Sequence, residues 1–210
     1  MSLQIRIQPD RVREIANLHK SLADRADAAS NDLKEIMVLL DQAWDGVASE
    51  SALESIEGLL SMSRNLSGEI NKSGDRLSAV ARIFESADSN EPIAIAHQIF
   101  RPIIVGPGGR PTFPSMILPK LVSVRIVPEE VRDVGNRCKN MAVIYSDIID
   151  DFYASVQRLE EAWEGKSYNK YLNDVNEFRS GMNEMLEALP ELAESLIRAA
   201  NRFEEIDNSF

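Results

Sequence analysis

The sequence W-x-G occurs twice in this chain, at residues 44–46 and again at residues 163–165. The offset of 119 residues aligns much more than the motif, since residues 5–16 fall on residues 124–135 without a gap and with five identities in twelve. A gapless duplication around a shared motif indicates two copies of one structural unit. The chain is therefore predicted to consist of two units of roughly 85 residues each.

Apolar residues recur every three or four positions in both copies, over residues 12–43 and residues 131–162. A seam with this period over more than four heptads predicts a long helix in a coiled-coil-like pairing. Pro9 and Pro128 are expected to begin these helices, because proline suits the first helical position. The pattern resumes after each W-x-G, and glycine is the usual residue where a helix must turn. Each copy is thus predicted to be a hairpin of two long antiparallel helices.

One hairpin has an apolar stripe that it cannot bury alone, whereas two hairpins can bury each other's stripes. We therefore predict an all-α fold in which two long antiparallel helical hairpins, fused in tandem, pack as a pseudo-twofold four-helix bundle. The predicted domains are a first hairpin at residues 1–88, a linker at residues 89–127 and a second hairpin at residues 128–210. Pro190 lies inside the predicted last helix and should kink it.

The linker contains six of the nine prolines and a Gly-Pro-Gly-Gly run at residues 106–109, so it is not helical throughout. A strap lying along the bundle and a β-hairpin turning at residues 106–110 both fit its short apolar runs. At ~3.3 Å per residue the linker can span the whole length of a hairpin. This length favours hairpins that pack head to tail.

Charge and composition exclude several classes of function. The formal net charge of −11 argues against a nucleic-acid-binding surface and against adsorption to anionic lipid. No run of about eighteen apolar residues is present, so no stable membrane insertion is expected. The N-terminal region lacks a basic segment followed by an apolar one, so any export is expected to be independent of an ordinary signal peptide.

The sequence offers no catalytic or metal-binding constellation. A di-iron site in a helical bundle needs two Glu-x-x-His pairs, but the residues three positions before His19 and His97 are alanines. A zinc site lacks its Cys and His ligands, because Cys138 is the single cysteine. His19 and Cys138 occupy equivalent seam positions, which favours a core role for both. We expect a non-enzymatic protein with no cofactor and no metal.

Both copies resemble the WXG (ESAT-like) family of type VII secretion substrates. Each copy opens with an R-I-x-P-acid start, carries heptads, turns at W-x-G, and closes on an aromatic-x-x-x-acid tail that begins 40 residues after the tryptophan. The tails run from Phe84 to Asp88 and from Phe203 to Asp207. The resemblance covers about residues 1–88 and 123–207 and leaves only the linker outside.

The resemblance implies that the tail of one hairpin lies beside the W-x-G turn of its partner and forms a composite export signal. Two candidate composites result, one of Trp44 and Gly46 with Phe203 and Asp207, the other of Trp163 and Gly165 with Phe84 and Asp88. Both tails have phenylalanine where the family pattern has tyrosine. Because these phenylalanines also fall on the heptad seam, a core role and a signal role are both open.

Family members usually pair as dimers of separate hairpins, so the resemblance implies a monomer that mimics such a dimer. It implies a non-enzymatic type VII secretion substrate, or a co-secreted helper that carries an effector. The implied partner is the membrane-anchored, FtsK-like ATPase of that system, and the implied destination is outside the cell by a signal-peptide-independent route. An intracellular helical adaptor that is not exported is the alternative.

Overall fold

The computed structural model describes residues 6–88 and 125–208. Within them the chain forms four long helices: α1 Pro9–Ala43, α2 Val47–Asp88, α3 Pro128–Ala162 and α4 Lys166–Asp207. Strands of two residues each lie next to the helix ends: β1 Arg6–Ile7, β2 Trp44–Asp45, β3 Arg125–Ile126 and β4 Trp163–Glu164. The prediction of an all-α fold made of two helical hairpins is confirmed.

Proline begins α1 and α3, as the sequence predicted. Its missing N–H would have had no partner in the first turn of a helix. Acidic residues follow in the same turn, Asp10 in α1 and Glu129 with Glu130 in α3. Their negative charge lies at the positive end of the helix dipole. The equivalent helices of the two hairpins also have equal lengths. Helices α1 and α3 each have 35 residues, and α2 and α4 each have 42.

The predicted apolar seam is buried along the whole of α1 and α3. Every seam position over residues 12–43 and residues 131–162 is buried, including the polar exceptions. The opposite faces are largely exposed, and among the described helices none has both the length and the apolar character needed to cross a membrane. Helix α4 continues through Pro190 without a break.

The seam opens at the ends of α2 and α4. Phe84 and Phe203 are half-buried, although the seam is buried one turn earlier in both helices. The period of the apolar residues in α4 predicts Ile206 as a seam residue, but Ile206 is 47% exposed, so that prediction is wrong. It lies one helical turn beyond Phe203, the last α4 ring that packs against another aromatic ring in the described residues. The end of α4 beyond Phe203 is therefore open to solvent.

Both W-x-G motifs end one helix and start the next. The φ angle of Gly46 is 147° and that of Gly165 is 133°. Side chains with a Cβ rarely adopt such angles, so these two turns need glycine. The next helix starts at the following residue in each case. The predicted hairpin turns are confirmed.

Each hairpin start pairs with the turn of the other hairpin, which the sequence reasoning did not predict. Strand β1 pairs antiparallel with β4, with Ile7 opposite Trp163. Strand β2 pairs antiparallel with β3, with Trp44 opposite Ile126. Each pair is continued by one further backbone bond, from Gln8 N to Ala162 O and from Val127 N to Ala43 O, both 2.8 Å. These pairings confirm the head-to-tail arrangement of the hairpins.

The described residues form two compact units. The Trp163 unit contains residues 6–26, 65–88 and 147–181, and the Trp44 unit contains residues 27–64, 125–146 and 182–208. Each unit includes segments of all four helices, one strand pair and one W-x-G turn. The two readings of the linker, a strap or a β-hairpin, concern residues 89–124, which lie outside the described residues.

Candidate functional site

The Trp44 turn and the tail of α4 meet in the Trp44 unit. Trp44 is only 2% exposed, and its ring centroid lies 6.3 Å from that of Phe203, at an angle of 73°. This edge-to-face geometry is the arrangement that aromatic rings favour. Gly46 lies two residues beyond Trp44, and Asp207 is exposed one turn beyond Phe203. The structure therefore places the turn and the tail of this predicted composite beside each other.

An ion pair holds the tail of α4 against the start of α3 in the same unit. The Arg132 guanidinium donates to Glu204, 2.5 Å away, and to the side-chain oxygen of Asn201, 3.1 Å away. The hydrogen bond with Glu204 raises the pKa of Arg132. Glu204 directly follows Phe203, so this contact fixes the helical turn that carries the ring. An arginine suits this role because its planar fork can serve two acceptors at once.

The Trp163 unit repeats part of this arrangement with different neighbours. The Trp163 ring lies 5.9 Å from Tyr168 and 5.9 Å from Tyr171, both in the first turns of α4. Arg13 pairs with Glu85 at the tail of α2, which is the equivalent of the Arg132 pair with Glu204. Both units thus have a W-x-G turn and an arginine–glutamate pair at the tail, whereas the side chains around the indole differ.

The second predicted composite is not brought together in the same way. Among the described residues, Phe84 makes no aromatic ring contact, and it is half-buried near the end of α2. Asp88 is the last residue of α2, but its side chain lies outside the described ones. Among the described residues, the Trp44 composite is therefore the one that shows a ring contact between turn and tail.

Neither indole N–H has an acceptor in the part of the chain that the structure describes. The Nε1 atoms of Trp44 and Trp163 are both buried and without a hydrogen-bond partner there. A buried donor left without an acceptor costs roughly 1–3 kcal/mol. Both turns therefore carry an unsatisfied polar atom at the residue that defines the motif.

A cavity of ≈ 440 Å³ lies beside the Trp44 ring. Its lining comes from the end of α1, from the turn, from the start of α2 and from β3: Asp41, Gln42, Trp44, Asp45, Ser49, Glu50, Leu53 and Arg125. Three of these side chains are carboxylates and one is a guanidinium. Sequence reasoning missed this cavity: all of its lining residues except Arg125 lie within residues 41–53, but a linear pattern does not show the space that the turn leaves between them.

A buried chain of hydrogen bonds crosses the Trp163 unit, with one residue from each helix. His19 Nδ1 lies 3.0 Å from Ser73 Oγ, and His19 Nε2 lies 2.6 Å from Ser155 Oγ. Ser73 Oγ lies 2.7 Å from the Tyr171 hydroxyl, and Ser155 donates to the Phe152 carbonyl at 2.6 Å. Because Ser155 uses its proton on that carbonyl, it accepts from His19 Nε2–H, and His19 Nδ1 then accepts from Ser73.

This hydrogen-bond order requires a neutral imidazole. Burial lowers the pKa of His19 to about 3, and the positive charge of Arg158 acts in the same direction. A protonated ring would have to donate to Ser73, and the direction of the chain would reverse. His19 is therefore a satisfied core histidine rather than a metal ligand or a catalytic base.

The equivalent layer of the Trp44 unit is apolar, since Cys138 stands where the Trp163 unit has His19. Burial raises the pKa of the Cys138 thiol to about 12, so it is not a nucleophile at neutral pH. This unit has a polar layer of its own, in which Ser63 bonds to Ser30 and lies 2.6 Å from the Tyr145 hydroxyl. Among the described residues, no group of three or more His, Cys, Asp or Glu side chains could hold a metal ion.

The fold and the two turns define a class of protein, in which paired helical hairpins bring each hairpin start against the W-x-G turn of the other. The family model described as proteins of 100 residues with WXG (WXG100) matches residues 123–208. This part of the chain, which contains the second hairpin, belongs to the WXG family. The match does not include the first hairpin, whose assignment as a second copy remains a prediction compatible with the repeated helices.

No curated protein and no solved structure matches the chain. The family match by itself indicates a small, non-enzymatic protein like the substrates of type VII secretion. The identity of any partner is not contained in that match.

Two features of the site had sequence signals that the reasoning did not use. The β-branched residues before Pro9 and Pro128 mark the strands that pair with the turns. Arg13 with Glu85 and Arg132 with Glu204 are related by the same offset as the two tryptophans. Pairs that survive a duplication together are candidates for contact, so the ion pairs were predictable.

Proposed function

We propose that this chain is a type VII secretion substrate, or a helper secreted with an effector, that is recognised through the Trp44 composite. The observation that carries the proposal is the contact between Trp44 and Phe203. It joins the turn of the first hairpin to the tail of the second, as the resemblance to WXG dimers implies. The Trp163 composite, with Gly165, Phe84 and Asp88, is the weaker candidate.

The geometry supports a signal that depends on folding. Trp44 and Phe203 are far apart in sequence and belong to different hairpins, so a partner that contacts both surfaces would recognise only a chain whose hairpins have paired. Fusion of the hairpins fixes their ratio and gives an effective concentration of about the millimolar range. The chain would therefore act as a monomer where other members of the family need two chains.

The exposed residues of the tail support recognition by a partner. Phe203 is half-buried, so one part of the ring packs against Trp44 while another part is accessible. Asp207 is exposed one turn further on. The proposed reader is the membrane-anchored, FtsK-like ATPase of the secretion system, and the proposed destination is outside the cell without an ordinary signal peptide.

Export into the medium of the host tests the proposal. We expect the chain in the medium only when the ATPase is present, and we expect Phe203→Ala with Asp207→Ala to abolish export. The matched control is Phe84→Ala with Asp88→Ala, which should leave most export intact. Circular dichroism on both purified variants checks that they fold. A folded chain that stays inside the cell whether or not the ATPase is present would refute secretion and favour the adaptor.

A further inference from the structure

The buried polar layer of the Trp163 unit is not repeated by the duplication. This layer joins His19 and Ser73 of the first hairpin to Ser155 and Tyr171 of the second. The equivalent residues of the other copy are all apolar and at most 4% exposed: Cys138, Leu192, Ile36 and Ala52. A polar layer in one unit thus corresponds to an apolar layer in the other.

The polar layer of the Trp44 unit shows the same asymmetry. Ser30 and Ser63 of the first hairpin bond to each other, and Ser63 lies 2.6 Å from the Tyr145 hydroxyl of the second. The equivalent residues of the other copy are again buried and apolar: Ile149, Met182 and Ala26. Each layer therefore needs side chains from both hairpins, and the two hairpins supply different parts of it.

Two copies of the first hairpin could not complete these layers. If they paired head to tail, Ile36 and Ala52 of one copy would lie where Ser155 and Tyr171 lie in this chain. His19 Nε2–H would then be buried without an acceptor, because its acceptor is Ser155 Oγ. One such donor disfavours the state that contains it by about 5- to 150-fold, and the pair would contain two.

Two copies of the second hairpin would fail for an equivalent reason. The Tyr171 hydroxyl would lose Ser73 and the Tyr145 hydroxyl would lose Ser63, since apolar residues of the second copy would occupy both positions. Such a pair would bury four phenolic hydroxyls, two from each copy, without the partners that they have in this chain. A buried polar group that only one partner satisfies can fix which helices pair.

We infer that the two polar layers make the pairing of the hairpins selective, so that each hairpin accepts the other and rejects a second copy of itself. An apolar seam alone tolerates many partners, since side chains of about the right size fill it. The layers add a penalty against the wrong partner, which selectivity needs as well as attraction to the right one. This inference concerns assembly and holds whether or not the chain is exported.

Disulfide capture can detect the pairing of two second hairpins in the full chain. Arg125 lies opposite Asp45 and Glu164 lies opposite Arg6, so positions 125 and 164 belong to different strand pairs. In a pair of two second hairpins, position 125 of one copy would instead lie opposite position 164 of the other. Facing residues of antiparallel strands are close enough for a disulfide. The variant Arg125→Cys with Glu164→Cys, with Cys138→Ala to remove the single native thiol, therefore reports wrong pairing by a 125–164 bond between chains.

The test compares this reporter protein with and without Tyr145→Phe and Tyr171→Phe, which remove the two hydroxyls and keep the shape of both rings. The chains are unfolded in urea and refolded in a glutathione redox buffer at about 0.5 mM, near the effective concentration of about a millimolar that fusion gives. With both tyrosines present, we expect the disulfide-linked dimer at the limit of detection. The phenylalanine variant should raise its yield at least about tenfold, because four unsatisfied hydroxyls no longer oppose the wrong pair.

The matched control is Ile148→Val in the same reporter protein, which weakens the core of α3 without removing a polar group and should leave the yield unchanged. Circular dichroism checks that each refolded protein is helical, and peptide mapping identifies the disulfide. Tyr171→Phe alone, which should give a smaller rise, replaces the double variant if that one does not fold. Equal yields with and without the hydroxyls, or an equal rise in the Ile148 variant, would overturn the inference.

Discussion

The Trp163 unit and the Trp44 unit have the same frame and different interiors. Both have a strand pair that joins a hairpin start to a W-x-G turn, a glycine with positive φ, and an arginine–glutamate pair at the tail. The Trp163 unit surrounds its indole with two tyrosines and contains a hydrogen-bonded histidine. The Trp44 unit has a cavity beside its indole, and the five large exposed hydrophobic side chains among the described residues all belong to it.

The difference shows which parts of a duplicated fold are free to change. Positions that set the backbone path have been kept in both copies, because a change at a turn glycine affects the whole hairpin. Positions that fill space around the indole have diverged, since small and large side chains can both be accommodated there. We therefore expect the Trp163 unit to be the better packed of the two, and the Trp44 unit is the one in which we propose recognition.

Removal of the tryptophans should have the largest effect. Truncation of a buried tryptophan to alanine costs about 3–5 kcal/mol. We expect Trp163→Ala to lie at the upper end of this range and Trp44→Ala at the lower end, because Trp163 packs on two rings and Trp44 on one ring beside a cavity. Urea titrations measure both losses. Equal losses, or the reverse order, would show that the Trp163 unit is not the better packed.

Acid should destabilise the protein through His19. Its pKa is lowered from 6.5 to about 3 in the folded state, so the unfolded chain binds the additional proton. The contribution of the neutral His19 to the free energy of unfolding is fully present above pH 6.5. It falls by about 1.4 kcal/mol per pH unit as the pH drops from there towards 3.

The variant His19→Cys, which copies Cys138 of the other unit, should remove this part of the pH dependence even though it lowers stability overall. Urea titrations at pH 6.5, 5.5 and 4.5 give the slope for both proteins. A slope that is the same with and without the histidine would contradict the assignment of a buried neutral imidazole.

A third comparison concerns the closest approach of the helices within each hairpin. A Cβ on Gly74 would lie 2.9 Å from the Ala16 carbonyl oxygen, and one on Gly135 would lie 2.8 Å from the Ile197 side chain. We expect Gly74→Ala to destabilise by about 1–3 kcal/mol. Gly135→Ala should cost a similar amount, because its Cβ would also lie 3.0 Å from the Ala193 carbonyl oxygen, which cannot move as a flexible side chain can. Thermal unfolding measures both.

Gly68 is the control for these glycines. A Cβ there would meet nothing within 4 Å, so Gly68→Ala should stabilise α2 by about 0.5–1 kcal/mol through helix propensity alone. Stabilisation by Gly74→Ala as well would show that the two helices can separate at little cost.

The smallest effect is expected at the ion pairs of the tails. Glu85→Gln and Glu204→Gln should each speed amide hydrogen exchange in the last turn of α2 or α4, without a measurable change in the unfolding temperature. Exposed ion pairs contribute little to global stability. The two effects should be similar, because this contact is repeated in both units. High salt should remove the difference in hydrogen exchange between each variant and the unchanged protein. Faster exchange in one variant alone would mean that only that ion pair forms in solution.

The sequence by itself determined the elements of this protein. The period of the apolar residues, the prolines at helix starts and the W-x-G glycines act within one helix or one turn, so they can be read without knowledge of neighbours. The duplication predicted that the two hairpins are equivalent. The length of the linker favoured their head-to-tail arrangement. The candidate residues Trp44 and Phe203 also came from the sequence.

Only the tertiary structure decided what surrounds those residues. The ring contact of Trp44 and the cavity beside it depend on side chains from different elements and on the rotation of each helix, which a linear pattern does not contain. The same holds for His19, which became a neutral core residue because hydroxyl groups from two other helices reach its nitrogens. The helices and turns follow from short-range sterics and from the spacing of the apolar residues. The chemistry of a site follows from contacts between distant parts of the chain.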